Sequence, residues 1–193
     1  MLKTIQNLAA AFAGESQARN RYDLYAKIAK KEGLNQIAEI FKETAKHEAQ
    51  HAKQIFIMIS SLKQKCTEDC KEIKIEAAVP TTLSSTASNL QAAIAGETYE
   101  TTTMYPEFAT IAEQEGLSEI AVKLRAIAVA ENYHKERFEK LALALTEGKV
   151  LQKSREISWV CSKCGYRHSG KSPVDICPSC AHEGRYFFPE VLI

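Results

Sequence analysis

The spaced pair Glu131-x-x-His134, within AIAVAENYHKERF, constrains this chain more than any other stretch. Positions three apart on an α-helix share a face, so this carboxylate and imidazole can reach one metal ion together. The same pair occurs earlier as Glu48-x-x-His51 in HEAQH. Two Glu-x-x-His helices, joined by glutamates from two further helices, make the ligand set of a carboxylate-bridged dimetal site inside a four-helix bundle. One such pair is weak evidence; two related by an internal repeat are strong.

Helical periodicity predicts four long helices. The first spans about Ile5 to Lys31, with Leu8, Phe12, Leu24 and Ile28 as its apolar positions, and ends before Gly33. The second runs from Asn35, read as an N-cap, to about Leu62. The third covers about Ser88 to Glu115 and the fourth about Ser118 to Thr146. The second pair of helices repeats the first. Glu32-Gly33-Leu34 recurs as Glu115-Gly116-Leu117, an offset of 83, and Tyr22, Glu48 and His51 recur at that offset as Tyr105, Glu131 and His134. Ala13-Gly14-Glu15 recurs as Ala95-Gly96-Glu97 with an offset of only 82. One extra residue therefore lies between Glu97 and Tyr105, which predicts a π-bulge there, with Pro106 just beyond it. This half also gains Glu100, where the first half has Gln17 or Ala18.

A single glutamate on a helix, such as Glu15, reads by itself as part of a solvated face. The repeat changes that reading. Counted back or forward from the two turns, Glu15, Glu48, Glu97 and Glu131 all stand roughly 22 to 28 Å along their helices. Glu15, Glu48, His51, Glu97, Glu100, Glu131 and His134 are therefore expected to converge. Burying so many carboxylates without cations is prohibitive. Two divalent ions largely balance the charge, and oxygen and imidazole ligands suit iron or manganese, with zinc also permitted. Tyr22 and Tyr105 lie two turns beyond Glu15 and Glu97. They read either as amphipathic core residues or as phenols donating hydrogen bonds near the metals. His47 points about 100° away from its neighbour Glu48, and with His168 and His182 it reads as a surface residue.

Between the helix pairs, residues 63–87 mix charge, Pro80 and a Ser/Thr cluster, the composition of a connector. About 25 extended residues reach up to about 80 Å. That exceeds the roughly 42 Å of a bundle helix, so one long crossover can traverse the bundle. Cys66 and Cys70 lie here; their spacing could clip a metal, but two ligands do not make a site, and spare thiols are the simpler reading. From about Ser154 the helical pattern gives way to short apolar pieces around Cys161-Ser-Lys-Cys164 and Cys177-Pro-Ser-Cys180. Two C-x-x-C knuckles in so small a unit read as one four-thiolate metal site that supplies the stability its core lacks. Tetrahedral thiolates accept zinc or iron, and zinc is the commoner occupant of such pairs taken alone. We thus expect a mainly α chain: a ferritin-like four-helix bundle with a long crossover over residues 1–148, then a small β-rich metal domain over 154–193.

The 193 residues carry a net charge of only +1 and no basic block, which argues against nucleic acid or an anionic membrane surface as partner. No apolar run approaches the roughly 20 residues of a membrane span. The N-terminus lacks signal-peptide architecture, and six cysteines without a signal favour metal binding over disulfides. A cytoplasmic protein is expected.

The combination resembles rubrerythrin, a ferritin-like dimetal bundle followed by a rubredoxin-like domain. The matching stretches are AGESQARNRY, the two Glu-x-x-His helices, AGETYE with MYPEF, CSKCGY and CPSC. They cover nearly the whole chain. The resemblance implies a non-haem diiron peroxidase of oxidative-stress defence that reduces hydrogen peroxide to water. Electrons would be NADH-linked through a donor redox protein and enter at an iron on Cys161, Cys164, Cys177 and Cys180. It implies Glu48 and Glu131 as bridging carboxylates, Glu15 on one iron, and Glu97 with His134 on the other. His51 and Glu100 would exchange on the first iron, with Tyr22 and Tyr105 beside the site. It further implies a homodimer or higher oligomer, arranged head to tail. The rival expectation is a ferritin-like protein that oxidises and handles iron, with a structural zinc ribbon.

Overall fold

In the computed structural model, residues 2–64 and 72–190 are described; Cys66 and Cys70 lie outside that set. Four helical rods form the bundle. They are α1 (Lys3–Lys31), α2 (Asn35–Lys63), a third rod made of α3 (Thr86–Tyr99), a π-helical turn (Glu100–Met104) and α4 (Tyr105–Gln114), and finally α5 (Ser118–Thr146). The π-turn falls where the change of offset predicts it. The added residue brings Tyr105 back into phase with Tyr22.

The two hairpins close alike. Gly33 and Gly116 take φ of 78° and 75°, a conformation open to glycine at little cost. The following amides then reach back to complete Schellman caps: Leu34 N–H to the Ala29 carbonyl and Leu117 N–H to the Ala112 carbonyl, both at 2.8 Å. Residues 32 and 115, which the repeat matches, act reciprocally. The Glu115 carboxylate accepts from the backbone N–H groups of Lys3 (2.8 Å) and Thr4 (2.9 Å) at the start of α1. The Glu32 carboxylate accepts from Thr86 N–H at 3.1 Å at the start of α3. Each hairpin thereby caps the first helix of the other with a negative charge, an arrangement worth about 1 kcal/mol per cap. Asn35 is not an N-cap: Leu34 takes that place, and the Asn35 amide instead donates to the Arg185 carbonyl at 2.7 Å. The crossover has no regular structure over its described residues before Ser85, whose hydroxyl caps α3.

The interior is divided. Tyr22, Tyr25, Phe41, Leu90 and Phe138 fill an apolar core toward the Gly33 turn. Ile5, Leu8, Ile55, Leu124 and Tyr105 fill a second toward the Gly116 turn. Between them lies a layer of buried carboxylates and imidazoles. After α5 the chain forms a small antiparallel sheet in the order β2-β1-β3, from β1 (Ile157–Cys161), β2 (Arg167–Gly170) and β3 (Phe187–Pro189). Trp159, Phe187, Cys161 and Cys177 make its core, with the indole N–H donating to the Gly170 carbonyl. Through Arg185 the sheet unit meets the Gly33 turn of its own bundle. No helix among the described residues is long and apolar enough to cross a membrane.

Candidate metal centres

Glu15 comes from α1, Glu48 and His51 from α2, Glu97 from α3, and Glu131 and His134 from α5. Apart from His51, whose side chain is 16 % exposed, all are buried. Their atoms sort into two groups. His51 Nδ1 stands 2.8 Å from Glu131 Oε1, 3.1 Å from Glu48 Oε2 and 3.6 Å from Glu15 Oε2. His134 Nδ1 stands 2.7 Å from Glu131 Oε2, 3.2 Å from Glu48 Oε1 and 3.6 Å from Glu97 Oε2. Glu48 and Glu131 thus offer one oxygen to each group, while Glu15 and Glu97 each serve one. The two groups are related by the internal repeat, with an offset of 83 for Glu48 and His51 and of 82 for Glu15.

Apart from the hydrogen bond between His51 Nδ1 and Glu48 Oε2, these contacts are close without being good hydrogen bonds. Glu15 Oε2, Glu48 Oε1, Glu97 Oε2, both oxygens of Glu131 and His134 Nδ1 are buried with no hydrogen-bond partner. Orphaned polar atoms in a core are costly. Here they belong to the same few residues and crowd the same two points, as ligands aimed at a common third atom do. The donor set therefore fits two carboxylate-bridged metal ions.

The tyrosines cross the bundle. Tyr22, two turns beyond Glu15 on α1, donates to Glu97 Oε1, and Tyr105 donates to Glu15 Oε1. Each terminal glutamate therefore has one oxygen tied to a phenol and the other free to face its group. Burial first, then the neighbouring carboxylate charge, keeps both phenols well above their ordinary range, so they stay protonated donors. Glu100, on the π-turn, is buried beside this layer but lies outside both groups.

His47 and Arg137 are where sequence reasoning fell short. His47 is half-buried rather than on the surface. It faces α5, with its Nδ1 3.1 Å from His134 Nε2. Arg137 is buried, pairs with Glu43 at 2.6 Å and lies over the Tyr133 ring. The spacing Glu43–His47 on α2 and His134–Arg137 on α5 was the available signal: each pair shares a helical face, and the two faces meet. His168 is also half-buried, whereas His182 is exposed as expected.

Without metal, the layer stores protons. Burial pushes the Glu97 carboxyl up to about 8 from an ordinary 4.5, against the pull of His134. Burial likewise holds Glu15 and Glu100 well above the carboxylate range. Burial alone would lower His134, but the Glu131 and Glu48 carboxylates crowding its Nδ1 outweigh that and raise it to about 12 from 6.5. For Glu48, burial is outweighed by His134 and His51, which hold it at about 2. The raised acids support the fold below 4.5 and lose that support as pH climbs to their folded values. His134 supports the fold below 6.5 and loses that support as pH rises toward about 12. Glu48 acts in the opposite sense, but only as pH falls below its unfolded value of 4.5. The metal-free protein is therefore expected to lose melting temperature between about pH 5 and pH 8, and the metal-loaded protein to gain relative to it, since ligands must shed protons to bind. A chelator-treated sample whose melting temperature is flat or rising over that range would contradict this.

The four cysteines form the second centre. Cys161 and Cys180 sulfurs lie 3.7 Å apart, as do those of Cys164 and Cys177. That separation is too long for a disulfide. It fits the edge of a tetrahedron of sulfurs that would hold one metal ion. Both knuckles turn alike. Gly165 N–H donates to the Cys161 carbonyl and Ala181 N–H to the Cys177 carbonyl, each at 2.9 Å, with positive φ of 76° and 56° at the turning residue. The backbone N–H of Tyr166, with the neighbouring thiols, draws Cys164 down to about 6, toward the thiolate that a metal needs.

Comparison with known proteins agrees on both centres. The family model described as rubrerythrin matches residues 6–142, and that of the rubrerythrin rubredoxin-like domain matches residues 159–188. A putative rubrerythrin of Methanocaldococcus jannaschii is 54% identical over 188 residues, covering 97% of this chain and 92% of the relative. A rubrerythrin of Nitratidesulfovibrio vulgaris is 43% identical over 186 residues, covering 96% and 93%. A solved structure of nigerythrin in its fully reduced, all-ferrous state superposes with a TM-score of 0.64 at 30% identity, covering 96% of this chain and 86% of that one.

Proposed function

The chain belongs to the rubrerythrin family, and on that premise we propose that it is a cytoplasmic peroxidase that reduces hydrogen peroxide to water at a non-haem diiron centre. In this reading residues 1–148 hold the diiron site. Residues 154–193 hold an iron on Cys161, Cys164, Cys177 and Cys180, which passes in electrons from an NADH-linked donor protein. The observation that carries the reading is the pairing within one chain of two centres: a carboxylate layer shaped for two ions, and four thiols shaped for a third.

When bound, two ferrous ions supply the two electrons that, with two protons, convert one peroxide to two waters. The chain's own residues prepare the place. Glu48 and Glu131 would hold both ions at a fixed spacing. Glu15 and Glu97 would complete one position each, their orientation set by Tyr105 and Tyr22. The apolar cores above and below limit water to the open side at His51. Glu100, poised next to the layer on the π-turn, would take the place of His51 as the ions change oxidation state. The arrangement of the sheet unit supports a head-to-tail oligomer. Arg185 contacts the start of α2, and Glu48 lies a further 13 residues, about 20 Å, along that helix. A partner's thiolate iron brought to the carboxylate layer would shorten the path.

The test is metal content with a visible spectrum of anaerobically prepared protein, before and after peroxide. The proposal requires three irons per chain and thiolate-to-iron charge-transfer bands that appear on oxidation. Two irons with one zinc and no such bands, in protein made with ample iron, would replace it with an iron-oxidising role for the bundle and a structural role for the sheet unit.

A further inference from the structure

The two halves of the dimetal layer are not equivalent, and the difference sits one residue before Glu48. His47 Nδ1 lies 3.1 Å from His134 Nε2. The ring centroids are 5.2 Å apart and the planes differ by 16°. That centroid distance is nearly the N–N separation plus both ring radii, so the rings meet edge to edge and the hydrogen bond lies in both planes. His134 Nδ1 faces the oxygens of Glu131, Glu48 and Glu97. To bind a metal there it must present its lone pair, which places the ring proton on Nε2. His47 Nδ1 is then the acceptor.

The other half has no such partner. The repeat puts Ala130 where His47 stands. Among the described residues no hydrogen bond reaches the outer nitrogen of His51, and its side chain is 16% exposed against 2% for His134. A ligand imidazole held from behind is fixed in tautomer and ring plane; one that is not can swing away from its metal.

We propose that His47 is a positioning residue that locks His134 at the metal position it shares with Glu97, a support that the position of Glu15 and His51 lacks. The inference rests on the dimetal reading of the layer and not on peroxidase activity, so its test uses no peroxide. The four-cysteine site is first filled with one equivalent of zinc, and ferrous ion is then titrated in anaerobically. His47→Phe, which keeps a ring but removes the acceptor, is expected to weaken one of the two ferrous equivalents about 10- to 100-fold and leave the other unchanged. His47→Asn, whose side-chain oxygen sits near the place of Nδ1, is expected to restore most of that loss.

Native affinities for both equivalents in His47→Phe would overturn the proposal. Equal weakening of both, unrelieved by asparagine, would also overturn it and make His47 merely structural. A second measurement uses the unaltered protein loaded with zinc at all its sites. Its ¹⁵N histidine spectrum must show His134 protonated at Nε2 with a slowly exchanging proton, and a proton on Nδ1, or rapid exchange, would refute the assignment whatever the variants do. Failure of peroxide turnover with this asymmetry intact would count against the proposed function alone.

Discussion

Glu131→Gln is expected to empty both metal positions at once, and peroxide turnover to fall about 1,000-fold or more, equivalent to about 4 kcal/mol of barrier. The reason is the division of its oxygens: Oε1 is 2.8 Å from His51 Nδ1, and Oε2 is 2.7 Å from His134 Nδ1. An amide of the same shape offers an oxygen to one group only and turns N–H donors toward the other. Glu97→Gln makes the instructive comparison. The Glu97 carboxylate already gives Oε1 to Tyr22 and faces only the His134 group with Oε2, so its loss is expected to cost one equivalent. Counting tightly bound ferrous ions per chain in the two variants separates the roles. If Glu131→Gln kept one tight equivalent, as Glu97→Gln should, Glu131 would belong to a single position and the shared-carboxylate geometry would be wrong.

The residues in that comparison are legible in the sequence for a physical reason. Ligands on helices must keep helical phase and height, so the 83-residue offset could be read off Glu48, His51, Glu131 and His134, and the one-residue discrepancy before Tyr105 announced the π-turn. Features set by neighbouring helices were not legible in this way. Tyr22 shares its own helix with Glu15, yet it reaches across to Glu97, because the hydroxyl at the end of a long side chain meets whatever the adjacent rod presents. The angle between His47 and Glu48 on α2 predicts a surface position for His47. What decides its environment is α5, which covers that flank. Asn35 has the propensity of an N-cap, but a tertiary bond to Arg185 claimed its amide. The repeat matches Glu32 with Glu115, while their reciprocal capping needs both hairpins assembled. Cysteine spacing revealed the four-thiol centre outright, since each knuckle is local.

Cys161→Ser is expected to cut peroxide reduction off from its electron supply while the carboxylate layer stays filled. A serine hydroxyl is shorter than a thiol and is not ionised near neutral pH, so the tetrahedron of sulfurs loses a corner and its metal with it. The local consequence is large. The sheet unit's core is little more than Trp159, Phe187, Cys161 and Cys177, and metal affinity equivalent to about 10 kcal/mol or more is coupled to folding in small thiolate domains. The sheet is expected to melt far below the bundle, whose two cores draw chiefly on helical residues and scarcely depend on the Asn35–Arg185 contact. Iron should fall to the amount held by the carboxylate layer. Protein preloaded with ferrous ion should still consume peroxide in a single turnover, yet sustained turnover with a donor protein should drop to the level seen with donor alone. Turnover at the native rate in Cys161→Ser would mean that electrons reach the carboxylate layer by another route, and the four-cysteine centre would then be a structural clamp on the sheet rather than the entrance to the site.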